Sequence, residues 1–360
     1  MHEINYTPKR IIIEKPSVDD SLTKDVIVTF PRVPHEVVEN AFELLKSGRF
    51  GTETLFLARN RGAFVKSFEP SKGAPPCQEM YITPIMNCPF KCSYCYLQSY
   101  LDYNSIVIFT NTNDMIKEVK KHIEENTAER FTTGEFSDSL ALEHITATAK
   151  RLLPLFAEGS SKLELRTKSI RIENITGLFD EPSFRDLKKK LIITWTLASP
   201  EAIIKEEAGT ASTEERINAI ARTLEAGIAV GIRFDPIIPF YYSVHAYEEV
   251  LIAIASNANN KLIKRVELGV LRFPAGLMEL IGRQSNKKNI LRGEFIRNRE
   301  GKHVLYRPIR LKIYRELIAI IKRHLPSVSI QLSMEDYDSW EDVGLNTNRD
   351  LTGTAQPQTD

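Results

Sequence analysis

The feature of this 360-residue chain that most constrains its fold is the cysteine loop from Cys88 to Gln98, which reads C-P-F-K-C-S-Y-C-Y-L-Q. Three of the four cysteines lie in this loop, spaced C-x3-C-x2-C. Three thiolates on a loop after a strand-like run suit three irons of a 4Fe-4S cube, and the fourth iron then stays open for reaction. Zinc is the alternative, but zinc prefers four ligands and no second cysteine pair exists. The loop therefore predicts an iron-sulfur centre held by Cys88, Cys92 and Cys95.

The composition predicts a globular protein in a reducing compartment. Apolar residues make up 42% of the chain and charged residues 26%, which is ordinary for a chain with a large core. No signal segment and no apolar run of about 18 residues is found, so neither export nor a membrane span is expected. Clustered cysteines fit the reducing cytoplasm, where thiols can bind iron, better than a disulfide framework. The net charge of +1 excludes no partner, because a basic face often lies on a near-neutral protein.

From Met80 onward, short apolar strands alternate with amphipathic helices, a pattern typical of parallel βαβ units. Chemistry in such folds gathers where the strands end. The predicted strands are Met80–Met86, Ile106–Thr110, Phe131–Gly134, Leu163–Thr167, Ile192–Leu197, Val230–Pro236 and Val266–Leu271, and the predicted helices are Asp114–Glu125, Ser139–Phe156, Thr213–Ala226 and Ala246–Ile254.

We expect four segments along the chain. Residues 1–75 form an N-terminal cap, with a strand at Arg10–Ile13 and a helix at Pro34–Ser47. Residues 76–275 form an open, partial (β/α)6 barrel. Residues 276–346 form a C-terminal extension, and residues 347–360 form a flexible tail.

The cysteine spacing, with the aromatic Tyr94 before the last cysteine, resembles the cluster loop of the radical S-adenosyl-L-methionine (SAM) superfamily. The continuation C-Y-L-Q is similar to that of the spore photoproduct lyase family, which repairs a UV-made thymine dimer in DNA. The resemblance extends from about Cys77 toward the C-terminal helix. It implies a radical SAM partial barrel with a C-terminal hairpin and helix extension, a 4Fe-4S cluster, bound SAM, and an electron donor such as flavodoxin or ferredoxin.

The resemblance also implies which side chains meet the methionine part of SAM. Thr133-Gly134-Glu135 resembles the Gly-Gly-Glu element that receives the SAM amino group, which makes Gly134 and Glu135 candidates. Ser137, which matches the end of the family's aligned motif, is a third candidate. Lys168 matches the lysine of the family's Thr-Lys pair, and its ammonium group suits the SAM carboxylate. Helix capping by Ser137 and Asp138 is the alternative, and the two roles are compatible.

Three further positions are implied to contact SAM. Tyr94 would contact the adenine through its backbone. Thr196 matches a strand-end serine of the family, and Asp235 ends the next strand, where the family carries a small residue. Either of these two side chains would hydrogen-bond the SAM carboxylate or ribose.

The resemblance raises a question about the hydrogen donor, because Glu135 occupies the position of the family's hydrogen-donating cysteine. With three cysteines assigned to iron, Cys77 is the remaining thiol, and we predict that it donates the hydrogen atom. Tyr96, directly after the last cluster cysteine, is predicted to lie near the radical path. For a lone cysteine and a tyrosine, core packing is the alternative.

A basic region near the C-terminus is the candidate surface for nucleic acid. Residues 283–323 contain thirteen Lys and Arg against three Glu, a local excess of +10. Two short strands around a turn with Gly301 predict a hairpin. The resemblance places a DNA-inserted hairpin here, and a solvated basic helix face is the alternative for Arg310–Arg323. The residues suited to phosphate contact and base stacking are Arg297, Arg299, Lys302, Tyr306 and Arg307.

Three functions are compatible with these patterns. The first is a radical SAM lyase that cleaves SAM to a 5′-deoxyadenosyl radical and repairs a thymine dimer lesion in DNA. The second keeps this chemistry but acts on another nucleoside or small molecule, because Glu135 replaces the donor. The third is a non-catalytic iron-sulfur protein that binds nucleic acid. Bound SAM would exclude the third, and turnover of damaged DNA would separate the first two.

Overall fold

A computed structural model describes residues 3–47, 50–68, 71–283 and 288–345. The chain divides into two compact units. The first comprises Met1–Phe68, Gln78–Ile192 and Gly209–Ala211, and the second comprises Glu69–Cys77, Ile193–Ala208 and Ser212–Asp360. The cap, barrel and extension boundaries stay predictions, and the tail, residues 347–360, lies outside the described residues.

The first unit contains two sets of mainly parallel strands with short helices between them. Its strands are β1 (Arg10–Glu14), β2 (His35–Val38), β3 (Thr54–Ala58), β4 (Val65–Ser67), β5 (Glu79–Ile82), β6 (Ile85–Met86), β7 (Lys91–Cys92), β8 (Ile106–Phe109), β9 (Arg130–Thr132) and β10 (Lys162–Thr167). Its helices are α1 (Ser21–Thr29), α2 (Ala41–Lys46), α3 (Leu97–Tyr100), α4 (Thr112–Glu124), α5 (Glu143–Thr146), α6 (Thr148–Leu152) and α7 (Glu173–Thr176).

Strand pairing in the first unit separates the N-terminal sheet from the strands that carry the site. One sheet has the order β2-β1-β3-β8-β6. In it, β1 pairs in parallel with β2 and β3, β3 pairs in parallel with β8, and β6 is antiparallel. The other set runs β4-β5-β9-β10, with β5, β9 and β10 parallel. The ends of β9 and β10 therefore lie side by side.

Strand β8 corrects one part of the predicted barrel. Ile106–Phe109 was expected to follow the cluster loop as a barrel strand, but it pairs with β3 and β6, while β5 pairs directly with β9. All four of its residues are buried. A short run that is apolar on both faces fits the middle of any parallel sheet, so the pattern alone did not determine its sheet.

The predicted helix Pro34–Ser47 is wrong in its first half. His35–Val38 is an edge strand in parallel register with β1, and the helix begins only at Ala41. The Asn40 side chain accepts a hydrogen bond from the backbone nitrogen of Phe42 and caps that helix. The paired valines favour a strand locally, and the β1 edge supplies its partner.

The predicted helix Ser139–Phe156 is broken into α5, α6 and a single 3₁₀ turn at Leu153–Phe156. Ala147 adopts a left-handed conformation, with φ of 46°, between the first two pieces. The buried Glu143 carboxylate accepts a hydrogen bond from the nitrogen of Ala149 at 2.9 Å and so satisfies the start of α6. Sequence periodicity did not detect this side chain as the cause of the break.

Glu143 makes the stability of the fold depend on pH. Burial raises the pKa of Glu143 to about 8, from 4.5 for an exposed glutamate. The folded chain therefore binds more protons than the unfolded chain between these values. The free energy of unfolding should fall as pH rises through this window, by up to about 1.4 kcal/mol per pH unit. We expect Glu143→Gln to flatten this dependence in urea titrations between pH 5 and about 8. Glu124→Gln, at an exposed helix position, is the control, and an equal slope in the wild type and Glu143→Gln contradicts the assignment.

The second unit contains the strands and helices from Ile193 onward. Its strands are β11 (Leu191–Thr196, whose first two residues belong to the first unit), β12 (Glu207–Ala208), β13 (Ala229–Ile237), β14 (Ile263–Val270), β15 (Arg272–Phe273), β16 (Phe295–Arg297), β17 (His303–Leu305) and β18 (Ser329–Leu332). Its helices are α8 (Pro200–Glu206), α9 (Thr213–Glu225), α10 (Val244–Ala255), α11 (Leu277–Gly282), α12 (Arg307–His324) and α13 (Tyr337–Asp342).

The second unit confirms the predicted hairpin. Strand β14 pairs in parallel with β13 and β18. Strand β17 pairs in antiparallel register with β15 and β16, and Gly301 has φ of 79° in the turn between β16 and β17. Helix α9 is capped by Ser212 rather than by Thr213, and Glu215 completes a capping box. No helix in the described part of the chain is long and apolar enough to cross a membrane.

Candidate active site

The three cysteines of the loop lie together in the first unit. Phe90, Cys92 and Ala141 form a small buried cluster, and Cys88, Tyr94 and Cys95 pack against it. The Gln98 side chain donates hydrogen bonds to the carbonyl oxygens of Cys92 at 2.9 Å and Ser93 at 3.2 Å. This amide holds the turn that contains the last two cysteines, which gives the glutamine of C-Y-L-Q a structural reason.

Burial of these thiols disfavours their thiolate forms when no cation is near. Burial raises the pKa of the Cys88 thiol, and the nearby Asp138 carboxylate raises it further. Burial also raises the pKa of Cys95, although Lys168 opposes the effect. Thiolates at this position therefore require a compensating positive charge, which iron ions supply. Among the described residues no three His, Cys, Asp or Glu side chains group around one metal ion, whereas each cysteine of a cubane cluster binds a different iron.

Asp138 holds the end of β10 against the loop that follows β9. Its Oδ1 accepts hydrogen bonds from the backbone nitrogens of Leu140 and Ala141, both at 2.9 Å. The same oxygen accepts from the Thr167 hydroxyl at 2.7 Å, and Oδ2 accepts from the Lys168 nitrogen at 2.6 Å. The predicted helix cap at Asp138 is wrong, because residues 139–142 form a turn and helix α5 begins only at Glu143. The additional bonds to Thr167 and Lys168 were not predicted from the sequence.

Lys168 and Tyr94, both assigned to SAM from the sequence, lie next to each other at the cluster loop. The Lys168 Nζ atom lies 5.7 Å from the centre of the Tyr94 ring. Ser137, one residue before Asp138, has a buried hydroxyl oxygen with no hydrogen-bond partner among the described residues. A buried, unsatisfied oxygen is costly unless a ligand pairs with it, and an ammonium group would do so. These features fit a bound SAM molecule.

Gly134 has no room for a side chain. A Cβ atom at this position would lie 2.6 Å from the Cβ of Arg166 and 3.0 Å from its carbonyl oxygen. Any larger residue would push apart the ends of β9 and β10. The glycine predicted to belong to the SAM element is therefore also required by strand packing.

Glu135 and Tyr96 form a direct contact. The Tyr96 hydroxyl lies 3.0 Å from the Glu135 carboxylate Oε1 and 2.9 Å from the Glu135 carbonyl oxygen, so its one hydrogen serves both acceptors. Burial and the neighbouring Glu135 raise the pKa of Tyr96. The Tyr96 ring packs edge-on against Tyr100, whose centre lies 5.4 Å from that of Phe136. Glu135 thus provides a carboxylate that accepts a hydrogen bond from a tyrosine, and its equivalence to the family's donor cysteine stays a prediction.

The remaining two SAM candidates belong to the second unit. Both oxygens of the buried Asp235 carboxylate accept hydrogen bonds from Arg272 at 3.2 Å, and Oδ2 also accepts from Arg233 at 2.8 Å. Burial alone would raise the pKa of Asp235, but these two guanidinium groups outweigh it and lower the pKa. The predicted contact of Asp235 with SAM stays a prediction, with both carboxylate oxygens already engaged.

Sequence reasoning missed the residue that fixes the end of β11. Arg216 is fully buried and donates from Nη1 to the carbonyl oxygen of Thr196 at 2.8 Å. The same side chain forms an ion pair of 2.5 Å with Glu207. The available signal was an arginine on the apolar face of helix α9.

Cys77 and the hairpin residues also belong to the second unit. Cys77 is half-buried, and its role as a donor stays a prediction. Of the five hairpin candidates, Lys302 pairs with Glu300 at 2.8 Å and Arg307 pairs with Asp342 at 2.7 Å. Tyr306, Arg297 and Arg299 are exposed, and neither of these two arginines has an ion pair within the described ranges.

The cysteine loop, the parallel strands and the polar groups at their ends define a radical SAM enzyme. The chain belongs to the spore photoproduct lyase family, whose sequence profile matches residues 49–331. This family uses a 4Fe-4S cluster and SAM, as the cysteine loop predicted.

Individual relatives support the same assignment. Spore photoproduct lyase from Geobacillus sp. (strain Y412MC61) is 25% identical over 243 residues, covering 64% of this chain and 68% of that protein. The enzyme from Bacillus subtilis (strain 168) is 25% identical over 174 residues, covering 47% and 48%.

Solved structures confirm the predicted radical SAM fold class. A spore photoproduct lyase variant superposes with a TM-score of 0.74 at 20% identity, covering 91% of this chain and 98% of that chain. A variant with AdoMet and dinucleoside spore photoproduct bound gives 0.71 at 18% identity, covering 92% and 100%.

The cluster assignment is tested by replacing single cysteines. Anaerobically reconstituted protein should contain about four irons per chain, and Cys92→Ala should lose most of the iron and all SAM cleavage, because three thiolates are the whole protein ligand set. Iron content and 5′-deoxyadenosine release measure both effects. Ser93→Ala, next to Cys92 and outside the ligand set, is the control. Full SAM cleavage by Cys92→Ala would exclude this set of ligands.

Proposed function

We propose that this protein is a radical SAM lyase that repairs a thymine dimer lesion, the spore photoproduct, in DNA. The observation that carries the proposal is the family match over residues 49–331, which includes the C-x3-C-x2-C loop. The bound dinucleoside spore photoproduct in solved relatives identifies the class of substrate for those proteins. Further support comes from the basic hairpin of the second unit, which suits a DNA backbone.

The residues of the first unit divide the binding of the cofactors between them. Cys88, Cys92 and Cys95 hold the cluster. Lys168 binds the SAM carboxylate, and the buried hydroxyl of Ser137 receives its amino group. When bound, the cluster and SAM supply a carbon-centred radical that removes a hydrogen atom from the substrate.

The hydrogen atom that completes the repair comes from Cys77 in this proposal. After the dimer breaks, one thymine carries a radical and must regain a hydrogen atom. A thiol S–H bond is weak enough to supply it, and the thiyl radical left on Cys77 returns to the thiol with one electron from the electron carrier and one proton from water. The O–H bond of a carboxylic acid is much stronger. Glu135 therefore does not replace the family's cysteine as a donor. Instead, its carboxylate fixes the Tyr96 hydroxyl at 3.0 Å, which leaves Tyr96 as the alternative donor.

The cellular setting follows from the same chemistry. An iron-sulfur cluster that must be reduced before each reaction needs a small electron carrier, such as flavodoxin or ferredoxin. Cysteines that ligate iron and a reducible cluster are compatible with the cytoplasm. We place the protein there, with DNA as its partner.

Product analysis tests the repair proposal. The protein is incubated anaerobically with SAM, a reductant and a dinucleotide that carries the spore photoproduct, and the thymine products are separated by chromatography. The wild type should convert the lesion into the dinucleotide with two intact thymines. Cys77→Ala should retain iron and SAM cleavage but yield misreduced thymine products. Adding Glu135→Cys to Cys77→Ala should restore clean repair, because a thiol then occupies the family's donor position.

One control and two outcomes separate the alternatives. Glu135→Ala, which removes the carboxylate without adding a thiol, is the matched control for Glu135→Cys. Clean repair by Cys77→Ala together with its loss in Tyr96→Phe would assign the donor to Tyr96. If the lesion does not change the rate of SAM cleavage and no repaired product forms, the substrate is another nucleoside or small molecule. This is the second function that the presence of Glu135 leaves open.

The hairpin assignment is tested by the salt dependence of DNA binding. Arg297→Ala with Arg299→Ala should lower the slope of log Kd against log salt concentration by about two, because roughly 0.9 counterions are released per phosphate contact. Fluorescence anisotropy with duplex DNA at several salt concentrations measures the slope. Lys120→Ala, an exposed lysine on α4 of the first unit, is the control. An unchanged slope in the double variant would move the DNA surface away from the hairpin.

A further inference from the structure

The N-terminal segment carries a buried carboxylate that contacts the chain directly after Lys168. The Glu3 side chain is only 4% exposed. Its Oε1 accepts a hydrogen bond from the Ser169 hydroxyl at 2.6 Å, and its Oε2 accepts from the Ile170 nitrogen at 2.7 Å. The Arg171 guanidinium donates to Oε1 at 3.1 Å. Three consecutive residues therefore depend on one carboxylate that is more than 160 positions away in sequence.

The other side of Lys168 is held by Asp138. Asp138 binds the Thr167 hydroxyl and the Lys168 nitrogen, at 2.7 and 2.6 Å. The Ser169 nitrogen donates to Thr167 Oγ1 at 2.8 Å, which joins the two sets of contacts. Asp138 thus holds the chain up to Lys168, and Glu3 holds the chain directly after it. A residue in this position has little freedom to change its backbone direction.

We infer that Glu3 is a positioning residue for SAM binding, acting through Lys168. Without the Glu3 carboxylate, the Ser169 hydroxyl and the Ile170 N–H lose a buried acceptor, and the turn after β10 can move. The Lys168 ammonium group would then no longer be held in one place for the SAM carboxylate. Family membership assigns no role to Glu3, because the family profile begins at residue 49. The inference rests on the proposed role of Lys168.

The residues next to Glu3 also form hydrogen bonds that hold the N-terminal segment in place. The Ile4 nitrogen donates to the Gly209 carbonyl oxygen at 2.9 Å, and the Asn5 side chain accepts from Arg171 at 3.1 Å. The Tyr6 hydroxyl donates to the Thr52 carbonyl oxygen at 3.0 Å. Each residue from Glu3 to Tyr6 is therefore tied to the first unit, and Glu3 contacts Ser169 and Ile170, the two residues directly after Lys168.

The test compares SAM binding, not only activity. Equilibrium dialysis with reconstituted protein should show that Glu3→Ala raises the Kd for SAM about tenfold, the effect of losing one or two buried hydrogen bonds. Iron content should stay at the wild-type level, and in SAM cleavage KM should rise while kcat stays the same. Glu3→Gln keeps an acceptor oxygen and should retain most of the affinity. Glu36→Ala, which removes an exposed carboxylate of the same unit, should bind SAM as the wild type does.

Hydrogen exchange supplies a measurement that needs no SAM. In the protein without SAM, the Ile170 amide should exchange faster in Glu3→Ala than in the wild type, while amides of α4 stay unchanged. If Glu3→Ala does not accumulate as folded protein, Ser169→Ala removes one of the same contacts and should raise the Kd by a smaller factor.

Combination with Lys168→Ala separates this inference from the proposed function. If Lys168→Ala weakens SAM binding and Glu3→Ala adds nothing in the double variant, Glu3 acts through Lys168. If Lys168→Ala weakens binding but Glu3→Ala binds normally, only the inference is overturned. If the two effects add, Glu3 acts independently and the inference is also overturned. If Lys168→Ala binds SAM as the wild type does, the proposed role of Lys168 fails, and the inference fails with it.

Discussion

The buried carboxylate of Asp138 accepts hydrogen bonds from two segments of the chain, the turn after β9 and the end of β10. Four donors converge on its two oxygens, so loss of the carboxylate would leave several buried N–H and O–H groups without an acceptor, at roughly 1–3 kcal/mol for each. The same carboxylate lies close enough to Cys88 to influence its thiol. The segment that contains Ser137 and the end of β10 at Lys168 therefore keep their relative positions through one side chain.

Much of this site was predictable because its signals are local. The cysteine spacing, the glycine in Thr133-Gly134-Glu135 and the turn glycine Gly301 each act over a few residues. In the structure the three cysteines lie together, Gly134 packs against Arg166, and Gly301 lies in the hairpin turn. The parts that were missed depend on residues far apart in sequence. Asp138 reaches Thr167, Glu3 reaches Ser169, and Arg216 reaches back to Thr196. No periodicity in the sequence marks such pairs.

The fold shows the same division between local and distant causes. The strands and helices with strong apolar patterns, such as β10 and α4, lie close to their predicted positions. The errors came where a partner decided the outcome. The edge of β1 turned His35–Val38 into a strand, the pairing with β3 placed β8 in the N-terminal sheet, and Glu143 stabilised a break at Ala147. In each case the local sequence was compatible with more than one structure.

Glu300 links the tip of the hairpin to the segment that leads to Cys77. Its Oε1 accepts from the Lys72 nitrogen at 2.8 Å, while its Oε2 pairs with Lys302 at 2.8 Å. A phosphate that attracts Lys302 competes with Glu300 for the same ammonium group. One carboxylate therefore serves two donors, and any change in the pairing of Lys302 alters the charge around an acceptor that the Lys72 backbone also uses.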